Sequence, residues 1–237
     1  MMKNLKIKIY ADGAVVEDML EAYRTGNIKG FTTNPTLMKQ AGIRDYEQFA
    51  KEVLQNIPDR PISFEVFSDD FAVMEEEAKK IASWGTNVYI KIPITNSVGE
   101  SSIPLIRKLS GLGYSLNITA ILTLTQVRET VNAFTQGTTN VVSVFAGRMA
   151  DSGVDPVPVM KEAAAICHAK EGTELLWASP RELLNIFQAD QCGCDIITCT
   201  PAILGKLPNV GKKLEQISLE TVQMFSKDIQ MLGYSIV

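Results

Sequence analysis

The sequence predicts an α/β fold, a (β/α)8 barrel of the TIM type with one or two extra helices at its C-terminal end. Eight short runs rich in β-branched and apolar residues recur along the 237 residues, and stretches with helical periodicity lie between them. Most runs are almost continuously apolar, which is typical of parallel strands covered on both faces. Strands that alternate with helices in this number favour the barrel, and a doubly wound open sheet is the alternative.

The predicted strands follow the apolar runs in chain order. They are Lys6–Tyr10, Gly30–Thr33, Ile62–Val66, Val88–Ile92, Ser115–Thr119, Val141–Phe145, Glu174–Ala178 and Asp195–Cys199. Five helices are predicted where apolar residues recur at helical spacing between strands. They are Phe71–Ser83, Ile103–Leu112, Gln126–Thr135, Pro156–Lys170 and Pro180–Asp190. The last two begin with a proline, which suits the first turn of a helix.

The C-terminal stretch continues beyond the eight units. Val210–Leu232 is predicted to form one or two amphipathic helices, which would cap the barrel or pack on a neighbouring subunit. We therefore expect a homo-oligomer held through the C-terminal helices. No linker, low-complexity tract or charge block divides the sequence, so residues 1–237 are expected to form one domain with residues 210–237 as a helical extension.

Charge and histidine content exclude several classes of function. The chain has 23 Lys and Arg against 27 Asp and Glu, a net charge of −4, and it lacks the broad positive field that holds a nucleic-acid backbone. Nucleic acid is therefore not expected as a partner. His168 is the only histidine, which excludes a His-rich metal site and a pair of catalytic histidines. Acid–base chemistry must fall mainly to carboxylates, Lys, Tyr or Cys.

Three of the four cysteines lie close together in QCGCDIITC. Their C-x-C spacing differs from the paired C-x-x-C of structural zinc sites, and no second cluster supplies further ligands, so no metal is expected. Reduced thiols in a cytoplasmic protein are the preferred interpretation. No stretch approaches the roughly 18 apolar residues of a membrane span, and the N-terminal segment has no signal-peptide core, so no membrane partner is expected.

Polar residues concentrate where the predicted strands end. In an α/β barrel the active site lies at the C-terminal ends of the strands. The polar residues at these ends are Asp12, Thr32, Thr33, Asn34, Glu65, Lys91, Asn117, Thr119, Ser143, Arg148, Ser179 and Arg181.

Lys91 is the most informative of them, because it lies inside the apolar strand sequence VYIKIPIT. One interpretation is a buried ion pair with Glu65, which is costly unless both charges are well bonded. The other is a nucleophilic amine that forms a Schiff base, since an apolar pocket favours the uncharged form that attacks a carbonyl. Such chemistry needs proton transfer, which Asp12 and Glu65 could provide, although either could simply cap or solvate a strand end.

The other polar residues allow similar pairs of interpretations. Asn34, Asn117, Thr119 and Ser143 could hold substrate hydroxyls and a water molecule, although each type is also common in turns and caps. Two arginines among these residues also allow two interpretations. Arg148 and Arg181 could hold a phosphate beside a helix start at Ser179–Pro180, or they could be surface arginines. No glycine-rich nucleotide-binding motif occurs.

Seven segments in this order resemble the transaldolase family, especially its short-chain branch, over nearly the whole chain. They are YADGA, GFTTNP, SFEVF, NVYIKIPIT, LNITAILTLTQ, VSVFAGRMAD and WASPREL. The resemblance implies a (β/α)8 enzyme of the class I aldolase type, which uses a Schiff base and neither metal nor cofactor. It also implies sugar phosphates as substrates, in the carbohydrate metabolism of the pentose phosphate pathway.

The resemblance implies a role for each matching position. Lys91 corresponds to the Schiff-base lysine, Asp12 to the acid–base residue of carbon–carbon cleavage, and Glu65 with Thr119 to the pair that handles the catalytic water. Three positions in the TTNP, LNIT and SVF segments correspond to residues that bind the dihydroxyacetone part: Asn34, Asn117 and Ser143. Thr33 in the TTNP segment is also expected to bind substrate. Arg148 corresponds to the phosphate-binding arginine, and Arg181 with Ser179 to a second, more weakly matching phosphate contact.

Two positions bear on which activity of the family is expected. The sister activity, fructose-6-phosphate aldolase, releases free dihydroxyacetone, and its site carries Gln at Glu65 and Tyr at Phe145. Both residues here are of the transaldolase type. We therefore expect a transaldolase, with the aldolase and a catalytically silent sugar-phosphate-binding barrel as alternatives. The segments YADGA and AILTLTQ depart from the commoner family sequences on the acceptor side.

Overall fold

The computed structural model describes residues 5–234 and 236 of the chain. The remaining residues, 1–4, 235 and 237, belong to the predicted domain and its C-terminal extension but lie outside the described part. Eight parallel strands are present: β1 (Lys8–Asp12), β2 (Gly30–Thr32), β3 (Ile62–Glu65), β4 (Val88–Pro93), β5 (Leu116–Ile121), β6 (Asn140–Val144), β7 (Thr173–Trp177) and β8 (Ile196–Cys199).

The eight strands form a closed barrel in chain order. Each strand pairs with the next one, and β8 closes the barrel through parallel pairing with β1. The predicted (β/α)8 fold is thereby confirmed and the open sheet is excluded. β1 begins two residues later than predicted and includes Asp12, which the sequence analysis placed after the strand.

The helices surround the barrel. They are α1 (Val16–Arg24), α2 (Pro35–Gln40), α3 (Tyr46–Asn56), α4 (Phe71–Ala82), α5 (Ile103–Gly111), α6 (Leu124–Ala133), α7 (Ala146–Asp151), α8 (Pro156–His168), α9 (Leu184–Cys192), α10 (Pro201–Leu204) and α11 (Leu214–Leu232), with a 3₁₀ turn at Leu207–Asn209. Four of the five predicted helices agree with α4, α5, α6 and α8 to within two residues at each end. The fifth was predicted to begin at Pro180, but α9 begins at Leu184.

Side-chain caps explain where several helices begin. Asp70 accepts hydrogen bonds from the backbone N–H groups of Ala72 and Val73 at the start of α4. At the start of α6, Thr123 and Gln126 form a reciprocal capping box. Asp155 caps α8, whose first residue is a proline. The caps of α4 and α6 fix where the loops after β3 and β5 end.

Large side chains fill the interior of the barrel. An inner cluster consists of Tyr10, Val141, Leu176, Ala178 and Ile196, with Tyr89 and Phe145 packed against it. The Tyr10 ring is accommodated because position 30 on the neighbouring strand is glycine: a Cβ there would lie 2.4 Å from the ring. The barrel is therefore closed below its C-terminal end, and a ligand must bind in the mouth above this cluster.

The C-terminal helix has few contacts with the barrel. The segment predicted to form one or two helices contains a single one, α11, whose 19 residues include none that is buried. Large apolar residues along it are exposed, among them Val222, Phe225, Ile229 and Leu232. Their spacing of three or four residues places them on one face of the helix.

Candidate active site

The polar residues at the C-terminal ends of the strands border a cleft of about 440 Å³ in the barrel mouth. The sequence analysis gave twelve residues, Phe145 among them, a role in catalysis, substrate binding or the choice of activity. Ten of these line the cleft: Asp12, Asn34, Glu65, Lys91, Thr119, Ser143, Phe145, Arg148, Ser179 and Arg181. The strands β1 to β7 or the loops that follow them supply these side chains, as expected for an active site of an α/β barrel.

Lys91 lies in β4 with its side chain 8% exposed. Its Nζ atom is 3.0 Å from Glu65 Oε2 and donates a 2.9 Å hydrogen bond to the carbonyl oxygen of Thr33. The strand register explains the first contact, because Lys91 and Glu65 are opposite each other in the β3–β4 pair. The amine thus lies in the wall of the cleft beside a carboxylate group.

Asp12 ends β1, and its Oδ1 atom accepts a 2.8 Å hydrogen bond from Thr32 Oγ1. Burial raises the pKa of Asp12, and the charge of Lys91 and the hydrogen bond from Thr32 act in the opposite direction. The net effect is a carboxyl group that holds a proton more firmly than an exposed aspartate does. This property suits a group that accepts and returns a proton during a reaction.

A chain of hydrogen bonds supports the floor of the cleft. Ser143 Oγ donates to Asn117 Oδ1 at 2.6 Å, and Asn117 Nδ2 donates to Ser63 Oγ at 2.9 Å. Asn117 is fully buried, and it is not one of the described residues that line the cleft. The structure therefore places Ser143 at the cleft surface and Asn117 beneath it.

Thr119 has a buried hydroxyl that carries no hydrogen bond to any described residue. It lies near the end of β5, and the next residue, Ala120, has a φ of 61°. The β5–β6 register shifts between Ile118 and Ile121, at the same point. A bulge of this kind redirects side chains next to many active sites. The Thr119 hydroxyl is thus left with an open bonding position at the edge of the cleft.

Asn34 and Thr33 of the TTNP segment contact the site in different ways, one through its side chain and the other through its backbone. Asn34 lines the cleft and also caps α2, because its Oδ1 atom accepts a 3.0 Å hydrogen bond from the N–H group of Leu37. Thr33 is fully buried, and it does not belong to the described residues that line the cleft. Its neighbour Thr32 points inward instead, as strand alternation requires. Thr33 contributes its carbonyl oxygen, through the bond from Lys91.

Arg148 and Phe145 form one wall of the cleft after β6. The Arg148 guanidinium carbon lies 5.6 Å from the centre of the Phe145 ring, within the range of a cation–π contact. Phe145 also packs against the inner barrel cluster and is only half-buried, so its ring faces both the core and the cleft. Arg148 is exposed at the rim, where a charged ligand would enter.

Arg181 lies at the same rim and pairs with Asp151 at the end of α7. Its Nε atom is 3.0 Å from both carboxylate oxygens of Asp151, and its Nη2 atom contacts Oδ2 as well. Both side chains are about half exposed. The predicted helix start at Ser179–Pro180 is wrong, because Ser179 adopts a φ of 60° and turns the chain before α9 begins.

The loops after β6 and β7 approach each other closely. A Cβ atom at Gly147 would lie 1.6 Å from the carbonyl oxygen of Ser179, so only glycine fits between them. The Gly147 N–H group donates to the Ala178 carbonyl oxygen at 3.4 Å. Arg148 and Arg181 flank this contact, one on each loop.

The structure adds cleft residues to which the sequence analysis gave no role. Thr32 and Thr198 line the cleft, and their hydroxyl oxygens are 2.5 Å apart. Thr198 lies in the apolar strand sequence IITC, where one threonine carries no recognisable signal. Its position two residues after Ile196, which faces the barrel interior, is the only indication that it points inward.

Two further findings concern metals and membranes. Within residues 5–234 and 236, no group of three His, Cys, Asp or Glu side chains is arranged to hold a metal ion. Over the same residues, no helix combines the length and apolar character needed to cross a membrane. All four cysteines are buried and unpaired.

Comparisons with known proteins identify relatives over nearly the whole chain. The family described as Transaldolase/Fructose-6-phosphate aldolase matches residues 9–236. A probable transaldolase of Erythrobacter litoralis is 32% identical over 232 residues, which are 97% of this chain and 100% of the relative. Probable transaldolases of Sphingopyxis alaskensis and Thermoanaerobacter sp. are 33% and 35% identical, each over 84% of this chain and 88% of the relative.

One solved structure is similar in fold alone. The crystal structure of 2,3-dimethylmalate lyase, a member of the PEP mutase/isocitrate lyase superfamily, superposes with a TM-score of 0.55 and 12% sequence identity. The superposition covers 100% of this chain and 87% of the other.

Proposed function

The chain belongs to the transaldolase/fructose-6-phosphate aldolase family, and we propose that it is a transaldolase that transfers a dihydroxyacetone unit from a ketose phosphate to an aldose phosphate through a Schiff base on Lys91. The observation that carries the proposal is the position of the Lys91 amine, 3.0 Å from Glu65 in the wall of the cleft. Fructose 6-phosphate and sedoheptulose 7-phosphate are suitable donors.

The first half of the reaction forms an imine and breaks a carbon–carbon bond. The Lys91 amine adds to the C2 carbonyl of the ketose, and loss of water gives the protonated imine. Glu65 can transfer the protons of this step, and the open hydroxyl of Thr119 can hold the water. Asp12 then takes the proton of the C4 hydroxyl, the C3–C4 bond breaks, and its electron pair moves into the imine to give an enamine. An aldose phosphate leaves.

The second half reverses these steps with another aldehyde. The enamine attacks the carbonyl carbon of the incoming aldose phosphate, and Asp12 returns its proton to the new hydroxyl oxygen. Hydrolysis of the imine then frees the product ketose. The raised pKa of Asp12 supports this double role, because the group must be able to hold the proton between the two halves.

The remaining predicted residues would bind the substrate. Asn34 and Ser143, supported by Asn117 below it, are placed to bind hydroxyls of the dihydroxyacetone part. Thr33 would act through its carbonyl contact with Lys91 rather than through its side chain. We assign the phosphate of the substrate to the rim of the cleft, where two arginine side chains lie. Arg148 would bind it directly, and Arg181 beside Ser179 would add a second contact.

Phe145 favours transfer over release of dihydroxyacetone. Its ring lines the cleft and offers no hydroxyl that could position water against the enamine. The enamine would then survive until an aldose phosphate arrives. An aldolase would release dihydroxyacetone without an acceptor, and a silent barrel would form no imine.

The experiment that tests the proposal is a product assay with fructose 6-phosphate, with and without erythrose 4-phosphate. A transaldolase forms sedoheptulose 7-phosphate only when both sugars are present. Release of dihydroxyacetone at the same rate without erythrose 4-phosphate would identify an aldolase instead. No product in either mixture would leave a barrel that binds sugar phosphates without turnover.

We also propose that α11 packs on a second copy of the chain, as the sequence analysis expected. The apolar face that includes Val222, Phe225, Ile229 and Leu232 is exposed over about the full length of the helix. An exposed apolar stripe of this kind is typical of an interaction surface. The four buried thiols accord with a reducing compartment, and we place the protein in the cytoplasm.

A further inference from the structure

Thr198 extends the hydrogen-bonded system of Asp12 across the barrel mouth. Thr198 is buried on β8, and its Oγ1 atom lies 2.5 Å from Thr32 Oγ1 on β2. Thr32 Oγ1 in turn lies 2.8 Å from Asp12 Oδ1 on β1, the strand between β2 and β8. Three side chains from three adjacent strands therefore form one row.

The chemistry of the groups fixes the direction of the row. An ionised carboxylate only accepts hydrogen bonds, so the single hydroxyl proton of Thr32 points to Asp12 Oδ1. Thr32 then has only lone pairs left for its second neighbour, and Thr198 must be the donor in the 2.5 Å contact.

We propose that Thr198 is a positioning residue for Asp12, which acts by orienting the Thr32 hydroxyl toward Oδ1 of the carboxyl group. The inference rests on the proposed acid–base role of Asp12. A donor behind Thr32 polarises its hydroxyl, which strengthens the bond to the carboxylate and stabilises the charged form. Without the Thr198 hydroxyl, Thr32 is free to rotate away from Asp12.

Other groups around Asp12 also affect its protonation, and their effects differ from that of Thr198. On β4, Lys91 lowers the pKa of Asp12 through its positive charge, and Glu65 on β3 is paired with that lysine. On β8, burial raises the pKa of the Cys199 thiol, and the charge of Asp12 adds to this effect. Arg148 is at the rim of the same cleft. Replacing Thr198 changes none of these charges. A shift of the Asp12 titration in a Thr198 variant therefore shows the effect of the hydroxyl row on Asp12.

The first experiment measures the protonation of Asp12 without using activity. The protein is labelled with carboxyl-¹³C aspartate, and the infrared carboxylate band of Asp12 is identified by subtraction of the Asp12→Asn spectrum. We expect Thr198→Val to raise the pH at which this band appears by about half a unit, since valine has the same shape and no hydroxyl. Thr198→Ser restores the donor and should return the titration toward that of the unchanged protein.

The second experiment measures turnover of fructose 6-phosphate with erythrose 4-phosphate against pH. Loss of the hydroxyl should move the acid limb of kcat to higher pH by the same amount and lower kcat about 2- to 3-fold on that limb, while KM changes little. Thr173→Val is the matched control. Thr173 is also a buried strand threonine, but it begins β7 at the opposite end of the barrel, so its variant should keep the profile.

The outcomes separate the inference from the proposed function. An Asp12 titration that is the same in Thr198→Val, Thr173→Val and the unchanged protein would overturn the inference, whatever the enzyme does. A loss of thermal stability in Thr198→Val with an unmoved titration would make Thr198 a packing residue, which overturns it as well. A shifted titration in a protein without transaldolase activity would support the hydroxyl row and contradict the proposed function alone.

Discussion

Lys91 and Glu65 are opposite each other on neighbouring strands, and their charged groups lie 3.0 Å apart in the wall of the barrel mouth. The same contact fits two explanations, a structural ion pair and a nucleophile beside its proton acceptor. The two explanations differ in their outcome with borohydride, which traps an imine on Lys91 only if this lysine is the nucleophile.

Borohydride with fructose 6-phosphate should attach a three-carbon adduct to Lys91, because reduction fixes the imine that holds the dihydroxyacetone unit. Lys91→Arg should abolish turnover, since a guanidinium keeps the charge but does not form the imine. Peptide mass mapping locates the adduct. The control is Lys8→Arg: Lys8 pairs with Glu174 outside the cleft, and its variant should stay active. An adduct at another lysine would refute the assignment.

Asp12→Asn should form the imine and then stop before carbon–carbon cleavage, because the amide does not accept the C4 hydroxyl proton. In the unchanged enzyme, burial raises the pKa of Asp12. The active carboxylate is therefore lost as pH falls through this raised pKa, and kcat should fall on the acid side at a higher pH than an exposed aspartate would give. The checks are borohydride trapping and kcat against pH. A variant with near-normal kcat would exclude Asp12 as the base.

Arg148→Ala should mainly raise KM for phosphorylated sugars. A charge-assisted hydrogen bond contributes about 1.5–3 kcal/mol, so kcat/KM should fall roughly 10- to 150-fold. Unphosphorylated sugars should be hardly affected. Arg128→Ala is the control, because Arg128 pairs with Glu162 away from the cleft. Equal losses for both types of sugar would show that Arg148 acts on the structure and not on the phosphate.

Phe145→Tyr should increase release of free dihydroxyacetone and decrease transfer, because it places a hydroxyl in the cleft that also contains Glu65. The measurement is dihydroxyacetone release without acceptor, together with the melting temperature. If Phe145 serves only packing against the inner barrel cluster, the new hydroxyl should cost about 1–3 kcal/mol of stability. The product ratio would then stay unchanged, and the main ground for choosing transaldolase would be lost.

Substitution of the apolar face of α11 should dissociate the protein. Phe225→Glu with Ile229→Glu places two charges in the face that we propose to be covered by a second copy. Lys227→Glu is the control, because position 227 lies on the opposite side of the helix. Light scattering coupled to gel filtration measures the molar mass. A mass of one chain, 26.0 kDa, for the unchanged protein would contradict the proposed interface.

The sequence predicts the barrel well because a buried parallel strand leaves a continuous apolar run. It misses α1, α2, α3, α7 and α10. Four of these have nine residues or fewer and bury at most three each, whereas α3 buries four of its eleven residues, as many as the predicted α5 and α6. Pro180 shows a different limit. Proline suits a first helical turn, but the positive φ of Ser179 diverts the chain, and no local pattern in the sequence reveals that turn.

The site was predictable where a polar residue interrupts an apolar strand, as Lys91 does. Asn117 was predicted as a ligand-binding residue, but only the packing of neighbouring strands shows that it lies beneath Ser143. The pairing of Arg181 with Asp151 depends on the relative placement of two loops, which a linear sequence does not contain. Thr198 matters through its distance to Thr32 across the barrel, a relation between residues 166 positions apart.

The contact between Gly147 and Ser179 has a consequence for the anion that we propose to bind at the rim. Arg148 follows the glycine directly, and Arg181 lies two residues beyond the serine, so each guanidinium is attached to one side of the same backbone contact. The approach of the two loops that carry these arginines thus depends on a residue without a side chain. A single methyl group at position 147 would push the two loops apart. An uncharged position would thereby affect how closely two positive charges enclose the phosphate that we propose for this rim.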